Sequence, residues 1–225
     1  MGTRLLTLIL TTVRNDAVQR LIESTWGERS GDHIYLTDLP ITYPTSTDKK
    51  PPSQLGLTTD TRYFSNEAKV VNGLNSAVRD LADNYDWILL CEDDTVPNFA
   101  AVEQALPGLN PGNVHGRIMY NRWGTNLTLD YPSIGAGLLL PMPLLDTLPP
   151  FEDHNTGYAE ASCGLWFRKH AVPLQYSGFR AFHPQLFELD MYDESHHANI
   201  REQWSFHYVR QPNEIVKLHT IFHGE

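Results

Sequence analysis

The sequence is short of cysteine, of positive charge and of any long apolar run. Cysteine occurs twice, at Cys91 and Cys163, too few for a disulfide framework, so a reducing, cytoplasmic setting is expected. Seventeen Lys and Arg stand against 27 Asp and Glu, a formal net charge of −10. That balance argues against a nucleic-acid groove or an anionic membrane face, both of which want a basic surface. It leaves room for a nucleotide, because a bound cation can neutralise a diphosphate. The first apolar stretch, Leu5 to Leu10, is too short for a membrane span. No convincing small-residue cleavage site follows it, so no signal peptide is expected. Without one, the sequon Asn126-Leu127-Thr128 reads as fortuitous. Internal repeats and a domain boundary are also missing. The chain is long enough for a real core, and 1–225 read as a single domain.

What is present begins with alternating elements. Arg4 to Thr12 is apolar with β-branched residues interleaved, a buried strand. Asn15 or Asp16 can cap a helix that buries Val18, Leu21, Ile22 and Thr25 and stops at Gly27. His33 to Thr37 then gives a second strand, followed by Asp38. Strand, helix and strand in this space make a βαβ opening and a parallel sheet. Residues 39–63 hold four prolines, Lys49-Lys50 and no periodicity, and read as a long surface loop. Ser65 can cap the next helix, with Glu67 in its first turn and Val71, Leu74, Val78 and Leu81 on its core face. Lys69 lies off that face and by position alone reads as solvated.

Trp87 to Cys91 is an unbroken apolar run that enters Glu92-Asp93-Asp94. Three adjacent carboxylates repel one another. Either a divalent cation offsets them, or they form an acidic turn in water; the triplet by itself leaves both open. Asp38, Thr11, Thr12 and the triplet all fall at carboxyl ends of strands, where open α/β sheets bind ligands. Further on, Asn98 to Ala105 reads as a short helix, and Arg117 to Tyr120 and Asn126 to Leu129 as paired strands across Trp123-Gly124. Ser133 to Gly137 is a small-residue turn into Leu138-Leu139-Leu140, and Leu144 to Leu148 a short helix. A helix over Gly157 to Ala171 places Glu160 in its first turn, with Cys163 as a core residue. The spacings of the late histidines match no common zinc pattern.

Taken in order, these segments resemble the Fringe and core-1 galactosyltransferase-like β-1,3-glycosyltransferases. Leu8 to Thr12 and Arg20 to Gly27 are similar to that family's opening strand and its helix ending in Thr-Trp. His33 to Asp38 resembles its strand ending in Thr-Asp. Trp87 to Val96 resembles its Asp-Asp-Asp metal stretch, preceded by a helix with a lysine like Lys69. Ser133 to Leu138 is similar to its glycine turn, and Glu160 with Gly164 to the segment of its catalytic aspartate. Ser205-Phe206-His207-Tyr208-Val209 resembles the late Phe-His-Tyr-Val that carries a metal ligand. Departures are Glu92 for the first aspartate, Val96-Pro97 for an aromatic and valine, Ile134 for a glycine, and Glu160 for the catalytic aspartate.

The resemblance implies an α/β fold: a GT-A-type domain with a Rossmann-like mixed, mainly parallel sheet flanked by helices. It implies a UDP-sugar-dependent, inverting hexosyltransferase of β-1,3 type acting on a glycan or other hydroxyl acceptor, with UDP-galactose or a UDP-N-acetylhexosamine as the donors favoured by the family. In this reading Asp94 and His207 hold Mn²⁺ or Mg²⁺, and Glu160 is the catalytic base. Thr11, Thr12, Asp38, Lys69, Glu92 and Asp93 meet the nucleotide-sugar. Trp123 and Trp166 are either acceptor platforms or core. A non-catalytic binding or chaperone-like relative is the first alternative, although such a protein would be expected to lose the triplet or the late histidine. A sugar-phosphate nucleotidyltransferase is the second, and it lacks support because Thr11-Thr12-Val13-Arg14 contains no glycine.

Overall fold

The computed structural model describes residues 3–12, 15–38, 54–56, 65–120, 129–180 and 194–223, with backbone alone at 54–56, 120 and 180. Among these residues seven strands form the main sheet: β1 (Leu5–Leu10), β2 (Asp32–Thr37), β3 (Gln54–Gly56), β4 (Trp87–Glu92), β6 (Val114–Gly116), β9 (Leu138–Pro141) and β10 (Leu174–Tyr176), in the order β10-β6-β9-β4-β1-β2-β3. β9 runs antiparallel to both neighbours, and the other pairings are parallel. The sheet is therefore mixed and mainly parallel.

The central strands are apolar throughout because both faces are covered. Their alternate side chains feed separate cores. Leu6, Leu8, Leu10, Ile88 and Leu90 meet Val70, Val71 and Leu74 of α2 (Asn66–Leu81) and Cys163, Trp166 and Phe167 of α5 (Ala159–Lys169). Ile9, Leu89 and Cys91 point the other way. They pack with Ile22 of α1 (Asp16–Glu23), Phe99 and Val102 of α3 (Phe99–Ala105), and Ile215 and Leu218 of a C-terminal helix, Pro212–His223. Gly164 lets α5 lie close on its neighbour: a Cβ there would stand 2.6 Å from that of Tyr131 in β8 (Asp130–Pro132).

Several boundaries differ from the pattern-based expectation. α1 ends at Glu23, and Trp26–Arg29 forms a separate 3-10 turn with Trp26 fully buried. Neither Asn15 nor Ser65 makes a side-chain capping bond to its helix. The short helix expected at 144–148 is α4, Met142–Asp146. β7 (Ile118–Tyr120) pairs antiparallel with β8, and most of its expected partner, residues 126–129, lies outside the described residues. Trp123 and most of the expected long loop lie outside the described residues, except for β3. Ile134, which stands where the resembled family has a glycine, is fully buried in the core shared with α2.

A smaller three-stranded sheet grows from the end of β4. β5 (Val96–Pro97) leaves the acidic triplet and pairs antiparallel with β12 (Ser205–Phe206), which itself runs parallel to β11 (Phe179–Arg180). The register Phe206↔Val96 brings residues just after Phe206 back over the residues just before Val96. The backbone N–H of Val209 donates to the Asp94 carbonyl at 2.9 Å. Local pairing thus joins two motifs separated by more than 100 residues.

Candidate active site

The triplet sits where β4 leaves the sheet, and its three carboxylates separate at once. Asp93 turns towards β1: the Thr11 hydroxyl donates to its Oδ2 at 2.6 Å and the Asn15 amide at 2.7 Å. Glu92 and Asp94 turn towards His207. Its Nε2 lies 3.3 Å from Glu92 Oε2 and 3.1 Å from Asp94 Oδ1. Arg210, largely exposed, donates from Nε to Asp94 Oδ2 at 3.2 Å.

His207 reaches this position because Gly135 has no side chain. A Cβ there would stand 2.1 Å from the imidazole Cε1. The turn carrying Gly135 is tied to both neighbours: the Thr95 hydroxyl donates to the Gly135 carbonyl at 2.6 Å, and the Ser205 hydroxyl donates to the Ala136 carbonyl. Tyr208 adopts a left-handed φ of 64°, a costly conformation for a bulky residue. Its ring stacks on that of His207 with centroids 3.9 Å apart.

Glu92, Asp94 and His207 each offer one ligand atom, and these atoms lie within 4.8 Å of one another. Two carboxylate oxygens and an imidazole nitrogen suit a divalent cation. The hydrogen-bonding pattern fits such a guest. Nε2 faces both carboxylates and one ring nitrogen cannot give a single proton to both; Asp94 Oδ1 and His207 Nδ1 are themselves buried. With only a proton to share, burial opposes the imidazolium, but the bonds and charges of Asp94 and Glu92 win and push His207 up to about 9. Burial likewise works against ionised Asp94, and His207 and Arg210 outweigh it, holding that carboxyl below its usual range.

Glu160 is the second residue of α5. Burial, reinforced by the negative charge of Glu92, raises its carboxyl to about 7, with its own helix-end N–H and His207 pulling the other way. That places Glu160 within electrostatic reach of the cluster, in the protonation range suited to proton transfer near neutrality.

The remaining expected residues line the ends of β1 and β2. Thr12 donates to Asp38 Oδ2 at 2.9 Å, and Asp38 is fully buried. Lys69, which by sequence position reads as solvated, is 2% exposed and donates to the Thr11 carbonyl at 3.0 Å. Glu92, expected at the nucleotide-sugar, stands with Asp94 and His207. Trp166 is core, stacked on Phe151 at 3.9 Å. Asn15, which the sequence marks only as a helix cap, and Arg210, which it does not mark, both reach the acidic triplet. The capping pattern competes for Asn15, and an exposed arginine carries no signal of its own until Asp94 is seen beside it.

No protein-family model matches the chain, and no curated protein does either. Solved structures do. A glycosyltransferase involved in the glycosylation of the major capsid of PBCV-1 aligns over 97% of this chain and 99% of its own, with a TM-score of 0.51 and 11% identity. The galactosyltransferase LgtC, solved with donor and acceptor sugar analogs, aligns over 95% of both chains with a TM-score of 0.52 and 10% identity. The fold is that of the GT-A glycosyltransferases. Among the described residues no helix is long and apolar enough to cross a membrane.

Proposed function

We propose that this protein is a divalent-metal-dependent glycosyltransferase that moves a hexose or N-acetylhexosamine from a UDP-sugar to a hydroxyl acceptor, with inversion at the anomeric carbon. The observation that carries the reading is the Glu92–Asp94–His207 group at the carboxyl end of β4, with the raised carboxyl of Glu160 in electrostatic reach. The narrower Fringe and core-1 affinity, and the β-1,3 type, rest on the ordered sequence motifs. The non-catalytic alternative is disfavoured because such a relative would be expected to lose the acidic triplet or the late histidine, and this chain keeps both.

Glu92, Asp94 and His207 would hold Mn²⁺ or Mg²⁺, which supplies charge neutralisation for the departing diphosphate. Asp93, Thr11, Thr12 and Asp38 form the polar floor for the nucleoside, and Lys69 supports that floor from beneath Thr11. Arg210, exposed beside Asp94, adds positive charge at the mouth. Glu160 takes the proton of the acceptor hydroxyl as that oxygen attacks the anomeric carbon. The bond from that carbon to the phosphate oxygen breaks, and UDP leaves with the electron pair.

A panel of UDP-sugars incubated with Mn²⁺ or Mg²⁺ and scored for UDP release tests the reading. One or a few donors should be turned over, with release abolished by chelator. Equal turnover with and without metal, or none across the panel, would contradict it.

A further inference from the structure

Glu67 is a carboxylate in the first turn of α2, a position where the helix dipole alone would account for an acid. Yet it is 3% exposed, and its oxygens are spent on a distant segment. Oε1 accepts the backbone N–H of His154 at 3.1 Å and of Thr156 at 3.3 Å, and Oε2 accepts that of Gly157 at 2.8 Å. The Thr156 hydroxyl is also 3.3 Å from Oε2, and it donates to the Tyr158 carbonyl at 2.7 Å. Backbone N–H groups converging on one anion make a nest-like cradle, here filled from within the chain, while the Asn155 N–H turns to Asp153 Oδ1 at 2.7 Å. Asn155 and Gly157 hold left-handed backbone angles, φ 53° and 76°, that shape this loop.

The loop runs straight into α5. Tyr158 occupies the cap position without a side-chain bond to the helix, and the start of α5 is held instead by this loop: the Thr156 hydroxyl accepts the Tyr158 N–H at 3.0 Å, and the His154 N–H also donates to Ser162 Oγ at 3.2 Å. Glu160 follows Tyr158 by two residues. Two residues along α2 from Glu67, Lys69 grips the Thr11 carbonyl under the opposite side of the site. One turn of α2 therefore braces both the strand end and the loop that delivers Glu160.

We infer that Glu67 is a positioning residue for sugar transfer, its buried carboxylate locking residues 154–157 and so fixing Glu160 against the Glu92–Asp94–His207 group. The inference rests on the reading of Glu160 as the base.

Glu67→Gln keeps the size of the side chain but leaves one acceptor oxygen and turns amide protons on the N–H groups of the nest. Kinetics of UDP release from the preferred UDP-sugar with Mn²⁺, for wild type, E67Q and E160Q, separate the roles. E67Q should lower kcat about 10–100-fold, the scale of a misplacement near 1 Å, with donor KM within about twofold. Amide exchange at His154, Thr156 and Gly157 should speed up while β1 and β4 stay protected. Thr156→Val leaves the backbone bonds to Glu67 but removes the hydroxyl's bonds to Glu67 Oε2 and to the Tyr158 carbonyl and N–H. It loosens the same loop, should show the same split at smaller size and serves if E67Q does not fold. Unchanged kcat in E67Q or T156V with an inactive E160Q would overturn the positioning role alone. Parallel losses in kcat and donor KM, with exchange rising throughout the sheet, would also overturn it. Full turnover in E160Q would remove the base reading on which the inference stands.

Discussion

Asp93 and Asp94 are chain neighbours with opposite electrostatics. Burial raises Asp93, reinforced by Asp94 and Glu92, while the Thr11 and Asn15 bonds hold it back. Asp94, nearly as enclosed, is lowered by His207 and Arg210. Partner identity rather than burial decides the difference, and partner identity is what a run of three acids in a sequence cannot display. At Glu160 the proposed role as base and stability pull apart. Its folded pKa, about 7, lies above the ordinary carboxylate value, so the folded state binds the extra proton and stability falls as pH rises through about 7. Glu160→Gln should melt higher than wild type above neutrality, and the two should converge near pH ~4, where the unfolded carboxyl is also protonated. The same variant should lose about two to four orders of magnitude in kcat. Wild-type rate should rise with pH to a midpoint at or below about 7, because a cation on Glu92 relieves the repulsion that lifts Glu160. A flat profile, or E160Q retaining turnover, would remove Glu160 from the mechanism. Gly135→Ala should push the His207 ring aside and weaken metal binding about 10–100-fold, the usual cost of disturbing a ligand's support, with calorimetric Mn²⁺ titration as the check; unchanged affinity would show that the ring adapts.

At the scale of elements, the pairing of β5 with β12 assembles the site, and Asn98 secures it. Its side-chain oxygen accepts from Ala101 at the start of α3, and its amide donates to the carbonyls of Arg201 and Gln203, at the end of α6 (His197–Arg201) and just beyond it. One side chain thus caps a helix and anchors the segment leading to His207. Asn98→Ala should cost about 1–3 kcal/mol, read as a shift of the urea midpoint at constant slope, and should weaken metal binding along with it. Stability loss with metal affinity intact would mean that β12 holds its register unaided. The α3 helix was legible because an Asn and an apolar repeat follow the standard N-terminal signature. The capping readings at Asn15 and Ser65 failed for the same reason that the signature works: short polar side chains serve whichever backbone or carboxylate lies nearest, and at Asn15 that was Asp93.

For the whole molecule, the βαβ opening, the buried apolar strands and the placement of polar residues at carboxyl strand ends were readable from periodicity, and the mixed sheet bears them out. The antiparallel insertion of β9 between β4 and β6 was not, because Leu138-Leu139-Leu140 looks the same in either direction. Glu67 was hidden too: its role depends on a loop 87–90 residues away, and only the folded chain brings them together. The site as a whole draws on β1, β2, β4, the Gly135 turn, α5 and the segment after β12, so metal and nucleotide should couple to global stability. Thermal unfolding with UDP alone, Mn²⁺ alone and both, in wild type and His207→Ala, tests this most directly. In wild type the two together should raise Tm by more than the sum of their separate shifts, through linkage to the folded state, and His207→Ala should lose the synergy while keeping its fold. Additive shifts in wild type, or synergy preserved in His207→Ala, would contradict a nucleotide site built on this metal group.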